Sequence, residues 1–403
     1  MVYQPPVGAR DLLPIDVAQK SWIEERLQQV FHRWGYHRII TSTLERMDTL
    51  MAGGAIQGST VVQLQTSDNE GLGLRPELTA SIARTAVTRM QGTTYPQRLY
   101  YNANVFQNTR ENRNNLQMEY YQAGVELLGG DGLISDGEVL LLLADCINSL
   151  DLPDWNLILG EAGITGSLLS AFPPKEQNKV RSAIANLDRV TLDSLPLSHS
   201  LRDRALTIMD LRGNPADVLQ KVSSLGLNHN QQLAVNNLKS LVELLNSATH
   251  YPIILDLSLL QTIDYYTGVI FQVTNTSNGK ARVLGKGGRY DQLLGQYHAQ
   301  GENIPGIGFA LSIEDIYQAL SYAQQLPKET PATNWLVVAQ TPQAYAAAFA
   351  YGATLRDSTH LVRVEMELGA RDNDGIRRYA RDRRIGQIAW IQSDGSPIIE
   401  SLN

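Results

Sequence analysis

Apolar residues at Ile23, Leu27, Val30, Phe31 and Trp34 recur at the three- and four-residue spacing of a single helix face. Pro14 precedes this run and Gly35 closes it, so the pattern predicts a helix over 16–34 and a strand over 36–40. Further strands are predicted at 60–64, 97–106 and 120–128, with a helix at 79–90 after the turn formed by Arg75, Pro76 and Glu77. Between 166 and 250 the texture changes to polar helical segments broken by Pro173-Pro174, Pro196 and Gly213-Asn214-Pro215. Strand patterns return at 253–257 and 269–275, and a helix follows at 313–325. The stretch 325–334, with Pro327 and Pro331, reads as a linker to a tail in which strands at 335–339, 361–364 and 388–391 alternate with helices. Elements in this order predict an α+β fold rather than a repeating βαβ one. The expected organisation is a core over 1–325, carrying a helical insertion at about 166–250, and a small α/β domain over 333–403.

Composition narrows the class. With 43% hydrophobic and 19% charged residues the chain is a globular protein rather than a disordered one, and its 403 residues suffice for a large core. The longest aliphatic stretch, 139–144, is far too short to cross a bilayer. The opening residues Met1-Val2-Tyr3-Gln4-Pro5-Pro6 have neither a basic start nor an apolar segment, so a cytoplasmic location is expected. Cys146 is the single cysteine, which excludes an internal disulfide and a cysteine-based zinc site; no metal or other cofactor is expected. A net charge of −7 offers no general footprint for nucleic acid. The segment 371–384 holds six arginines and three aspartates, and its ordinary reading is a solvated helix face.

Four stretches place polar groups at the ends of apolar strands. They are Leu74-Arg75-Pro76-Glu77-Leu78-Thr79, Glu119-Tyr120-Tyr121-Gln122-Ala123-Gly124-Val125-Glu126, Asp264-Tyr265-Tyr266-Thr267-Gly268 and Gly285-Lys286-Gly287-Gly288-Arg289-Tyr290-Asp291. In the second, Gln122, Gly124 and Glu126 share one face at strand spacing. In the fourth, Gly287, Gly288 and Arg289 are expected to shape a turn. A carboxylate suits an ammonium group, a second carboxylate can fix an imidazole N–H, and tyrosine offers an apolar face with a polar tip. The ordinary alternatives are solvated carboxylates, packed tyrosines and, for Thr79, a local hydrogen bond at a helix start.

Together, in order and over about residues 5–325, these motifs resemble the histidyl-tRNA synthetases, a class II family. The resemblance implies a class II synthetase-like antiparallel sheet core, with Glu77, Thr79 and Gln122 around the ammonium group of histidine and Glu126, Tyr266 and Tyr290 around its imidazole. It also implies dimerisation through the helix 16–34 and the strand running to Thr43, where Ser42 replaces the family's proline.

The catalytic equipment departs from that family. Gln107 stands where an arginine should meet the α-phosphate, Thr109 where a glutamate should hold adenine, Gln261 where an arginine should support the attacking carboxylate, and Asp315 where the third signature should end in arginine. Each charge-assisted contact to a phosphate is worth roughly 1.5–3 kcal/mol, so three losses predict no useful amino-acid activation. Keeping the amino-acid side while losing the ATP side resembles the regulatory subunits of ATP phosphoribosyltransferase. That resemblance implies a non-catalytic chain that joins a short-form catalytic subunit in the first step of histidine biosynthesis, with L-histidine as effector and a homodimer inside a hetero-oligomer. The tail 333–403, only 71 residues, resembles a shortened anticodon-binding domain, so tRNA is not expected as a partner. The competing readings are a working histidine-tRNA ligase and a histidine- or tRNA-binding module for another partner.

Overall fold

Helix α1 (Pro14–Arg33) starts at Pro14, whose preset backbone angle suits a first helical position, and the Leu13 N–H donates to Asp16 at 2.9 Å. Its buried stripe is Ile23, Leu27, Val30 and Phe31. Strand β1 (His37–Arg38) is shorter than the one expected over 36–40, because the chain pairs only at His37 and Arg38, with Leu99 and Tyr100. Next come β2 (Leu44–Arg46), α2 (Met47–Met51), β3 (Val62–Leu64) and β4 (Leu72–Leu74), whose strands form a small sheet in the order β2-β4-β3, before α3 (Thr79–Arg89). The computed structural model describes residues 5–54, 56–65, 71–108, 117–248, 251–259, 265–277, 279–358, 360–369 and 371–402.

The long hairpin β5 (Gln97–Phe106) and β6 (Glu119–Leu128) leads into α4 (Gly132–Ser149) and β7 (Trp155–Glu161). A helical stretch follows: α5 (Ala162–Leu169), α6 (Pro174–Ala185), α7 (Arg189–Ser194), α8 (His199–Met209), the short β8 (Arg212–Gly213), α9 (Pro215–Ser223) and α10 (His229–Ala248). Prolines open α6 and α9, so the breaks seen in the sequence are helix starts. Val180, Ile184, Val218, Val222 and Leu238 from this stretch join the same hydrophobic cluster as α1 and the sheet, so the helices have no separate core.

Strands β9 (Ile253–Asp256), β10 (Val269–Ser277), β11 (Lys280–Arg289) and β12 (Gly306–Ser312) complete a nine-stranded sheet, ordered β1-β5-β6-β12-β11-β10-β7-β9-β8. All neighbours are antiparallel except β1 with β5 and β7 with β9. One face is covered by α1, α4 and α11 (Ile313–Tyr322). On the other, α3 and Tyr290, Leu293 and Leu294 build a second cluster with Leu99, Tyr101 and Leu128.

Gly287, Gly288 and Arg289 do not form the expected turn. They lie within β11, where Gly287 faces Phe309 and Gly288 faces Gly308 across the ladder. A Cβ on Gly287 would stand 2.3 Å from the Gly308 carbonyl oxygen, and one on Gly288 2.6 Å from the Tyr266 ring. These glycines serve close approach to neighbours rather than a change of chain direction. Arg289 ends the strand with its guanidinium bound to Asp136 at 2.7 Å and Asp291 at 2.9 Å.

Residues Met1–Leu326 and Pro327–Asn403 are separate compact units. The second contains β13 (Trp335–Ala339), α12 (Tyr345–Arg356), β14 (Val364–Met366), α13 (Asn373–Asp382), β15 (Gln387–Ile391) and β16 (Pro397–Ser401), with strand order β14-β13-β15-β16. Its own cores gather Leu336, Ile376 and Ile388 on one side and Val337, Ala348 and Ile391 on the other. Among the described residues no helix is long and apolar enough to cross a membrane.

Candidate functional site

The register of β5, β6, β12 and β11 determines what the open face of the sheet presents. Tyr101, Gly124, Ala310 and Lys286 form one row across the four strands, and Leu99, Glu126, Gly308 and Gly288 form the next. Gly124 and Ala310 at the centre of the first row and Gly308 and Gly288 in the second leave a low floor, and above it opens a cavity of about 850 Å³. Its lining includes Glu77, Thr79, Gln122, Tyr266 and Tyr290, so five of the six residues expected to hold histidine meet at one wall.

Glu126 lies beneath that wall. The second half of β6 is covered on both faces, which leaves the Glu126 carboxyl 1% exposed. Thr79 Oγ1 donates to one of its oxygens at 2.7 Å and the Tyr290 hydroxyl donates to the other. Burial pushes the Glu126 carboxyl up to about 8, against the two hydrogen bonds that favour its charged form. A Cβ on Gly308 would fall 2.0 Å from Glu126 Oε2, so the neighbouring strand must carry glycine there. Glu126 thus orients Thr79 and Tyr290, which in turn face the cavity.

Glu77 sits at the start of α3, where its carboxylate accepts the Thr79 N–H at 2.6 Å and the Ala80 N–H at 2.9 Å. Burial raises its affinity for a proton, and the backbone donors at the helix start oppose that shift. The helix-start hydrogen bond considered for Thr79 is formed through its N–H to Glu77, while its hydroxyl goes to Glu126. The Gln122 side-chain oxygen is buried with no hydrogen-bond partner among the described residues. A buried acceptor in that condition costs about 1–3 kcal/mol until a donor reaches it.

Tyr266 packs on Gly288 and meets Tyr265 edge to face, with ring centroids 5.0 Å apart; Tyr265 meets Tyr290 at 5.8 Å. Tyr101 and Tyr265 also line the cavity and were not anticipated from the sequence. A Cβ on Gly124 would come 2.5 Å from the Tyr101 hydroxyl, so the glycine of the Gln-x-Gly-x-Glu motif marks a residue lying across it. That signal becomes readable only once β5 is set in register with β6.

Of the four positions where the resemblance leads ATP-binding groups to be expected, Gln107 and Asp315 line the same cavity, while Thr109 and Gln261 lie outside the described residues. Gln107 Nε2 donates to the Pro76 carbonyl at 3.2 Å. Asp315 binds Arg282 at 2.8 Å and accepts from Ser312 Oγ at 2.6 Å. Positive charge is present on this side, but it comes from Lys280, Arg282 and Lys286 of β11. Among the described residues no cluster of histidine, cysteine or carboxylate side chains is arranged to hold a metal.

A family model described as histidyl-tRNA synthetase matches residues 8–316. The ATP phosphoribosyltransferase regulatory subunit of Nostoc punctiforme is 71% identical over 402 residues, covering the whole of both chains. The chain belongs to the family of ATP phosphoribosyltransferase regulatory subunits. A solved structure described as an ATP phosphoribosyltransferase regulatory subunit/histidyl-tRNA synthetase from Bacillus halodurans is 25% identical, with a TM-score of 0.81 over 97% of this chain and 99% of that one. The histidyl-tRNA synthetase of Nostoc sp. PCC 7120 shares the fold, with a TM-score of 0.80 at 17% identity over 99% of this chain and 97% of that one. The class II synthetase-like α+β fold and the regulatory-subunit family read from the motifs are both borne out.

Proposed function

We propose that this chain is the non-catalytic regulatory partner of a short-form ATP phosphoribosyltransferase in the first step of histidine biosynthesis. In this reading it binds L-histidine in the cavity above Gly124, Gly308 and Gly288 and so confers feedback inhibition. The observation that carries it is the contrast within one cavity. Its lining holds the unpaired Gln122 oxygen and Glu77, suited to a ligand ammonium, and Tyr266 and Tyr290, suited to an imidazole, while Gln107 and Asp315 stand where the resemblance would put phosphate-binding charge. Feedback requires histidine to bind one state of the complex more tightly than another.

The same reading makes the protein cytoplasmic, a homodimer within a hetero-oligomer, and free of any metal or cofactor requirement. The unit after Leu326 is then a shortened anticodon-binding domain that no longer serves tRNA. It also makes the chain inactive in aminoacylation, because neither a glutamine amide nor an aspartate supplies the charge that a transferring phosphate gathers.

The test is reconstitution. The short catalytic subunit is expected to turn over poorly alone, and to become both active and histidine-sensitive when this chain is added. A catalytic subunit equally active and equally inhibited by itself would overturn the proposal, as would robust charging of histidine tRNA by the purified chain.

A further inference from the structure

A free amino acid brings a carboxylate as well as an ammonium and a side chain, and a carboxylate entering a partly enclosed cavity needs a cation. Most arginines around the site are committed elsewhere. Arg75 donates to the carbonyls of Thr41, Ser42 and Asn104, Arg84 is paired with Glu45 at 2.7 Å, Arg282 with Asp315, and Arg289 with Asp136 and Asp291. Two lysines of the lining remain, and neither has an ion partner among the described residues.

Their positions along β11 separate them. Lys280 is the first residue of the strand, opposite Ser277 at the hairpin end. Lys286, also exposed, lies six residues further along the strand, directly across Ala310 from Gly124 and on the same face as Gly288, whose missing Cβ would point at the Tyr266 ring. Strand spacing puts its Cα roughly 10 Å from that of Gly124. Gln122 and Glu126 flank Gly124 on the same face of β6. Only Ala310 and, opposite Gln122, Ser312 stand between, so the flexible four-carbon stem of Lys286 can lie along the floor with its ammonium directed into the cavity. One amino acid can thus lie between the acceptors and the lysine, with Glu77 and Gln122 toward its ammonium group and Lys286 toward its carboxylate.

We propose that Lys286 is the carboxylate-binding residue of this cavity and makes it selective for a free α-amino acid over the corresponding amide. The proposal rests on the histidine reading given above. It assigns to β11 the role that the Gln261 position of the chain leaves without a charge.

Calorimetric titration of the full-length protein with L-histidine and with L-histidinamide tests it. Wild type is expected to prefer histidine by at least about tenfold, the effect of one charge-assisted contact. Lys286→Met should lower histidine affinity about 10- to 100-fold, leave the amide within about threefold and bring the ratio close to one, while Lys286→Arg keeps the preference. Lys286→Gln provides the same reading if the methionine variant does not fold. Gln122→Ala should weaken both ligands alike. A wild-type ratio retained in both Lys286→Met and Lys286→Gln, with Gln122→Ala still weakening both ligands, would overturn the role of Lys286 and leave the histidine site standing. Wild type that binds neither ligand would overturn both.

Discussion

At the residue scale the most consequential group is one that the cavity does not directly expose. Glu126 is buried, receives two hydroxyl hydrogen bonds and has its carboxyl pushed from an ordinary 4.5 to about 8. The folded chain therefore holds this proton more tightly than the unfolded one. Its favourable contribution to stability is complete below pH 4.5 and is lost as pH rises through about 8. Glu126→Gln, neutral throughout, is expected to gain stability relative to wild type as pH rises from 5 to 9, on the order of 1 kcal/mol or more across that window. Urea midpoints measured at a series of pH values check this, and parallel curves for the two proteins would contradict it. The sequence placed Glu126 on the correct face of β6 but could not reveal its depth. Depth depends on Gly308 from a strand some 180 residues away, and no local pattern encodes that approach.

At the scale of elements, the site is a consequence of register. β6, β12 and β11 contribute Gly124, Gly308 and Gly288 to adjoining rows, and each glycine lies under a bulky group: Tyr101, Glu126 or Tyr266. Gly308→Ala would place a methyl 2.0 Å from Glu126 Oε2 and 2.4 Å from the Val125 carbonyl oxygen. It is expected to cost about 1–3 kcal/mol, the usual range for overpacking, and to lower histidine affinity by displacing Thr79 and Tyr290. A denaturation midpoint and a histidine titration on the same protein measure the two effects, and an unchanged midpoint would show that the strands separate to admit the methyl. Helix α1 and strands β5 and β13 were legible because each pattern repeats within one segment. The end of β11, at Gly287, Gly288 and Arg289, was misread as a turn because its glycines answer to neighbouring strands rather than to their own backbone.

At the scale of the whole molecule, charge bears on the question of RNA. The chain carries a net −7, and the arginine-rich segment around α13 is largely neutralised within its own unit. Arg371 pairs with Glu367 at 2.9 Å, Arg377 with Glu400 at 2.8 Å, Arg383 with Glu365 at 3.5 Å, and Arg384 with Glu329. Arg371 and Arg383 also lie over the Tyr379 ring. We therefore expect no saturable complex with histidine tRNA at about 0.15 M salt, and any low-salt association to fall steeply as salt is added. A gel-shift titration at two salt concentrations checks this, and a complex insensitive to salt would argue for a retained tRNA site.

Sequence alone determined the class of fold, the family and some of the polar groups that line the cavity, because helical periodicity, strand alternation and short motifs are carried by neighbours in the chain. Tertiary structure decided the rest. It placed Glu126 under the cavity wall, left the Gln122 oxygen buried without a partner, spent Arg282 and Arg289 on carboxylates, and set Lys286 in line with Gly124. Each of these depends on strand register and on residues far apart in sequence, and register is set by packing across the sheet rather than by any one segment.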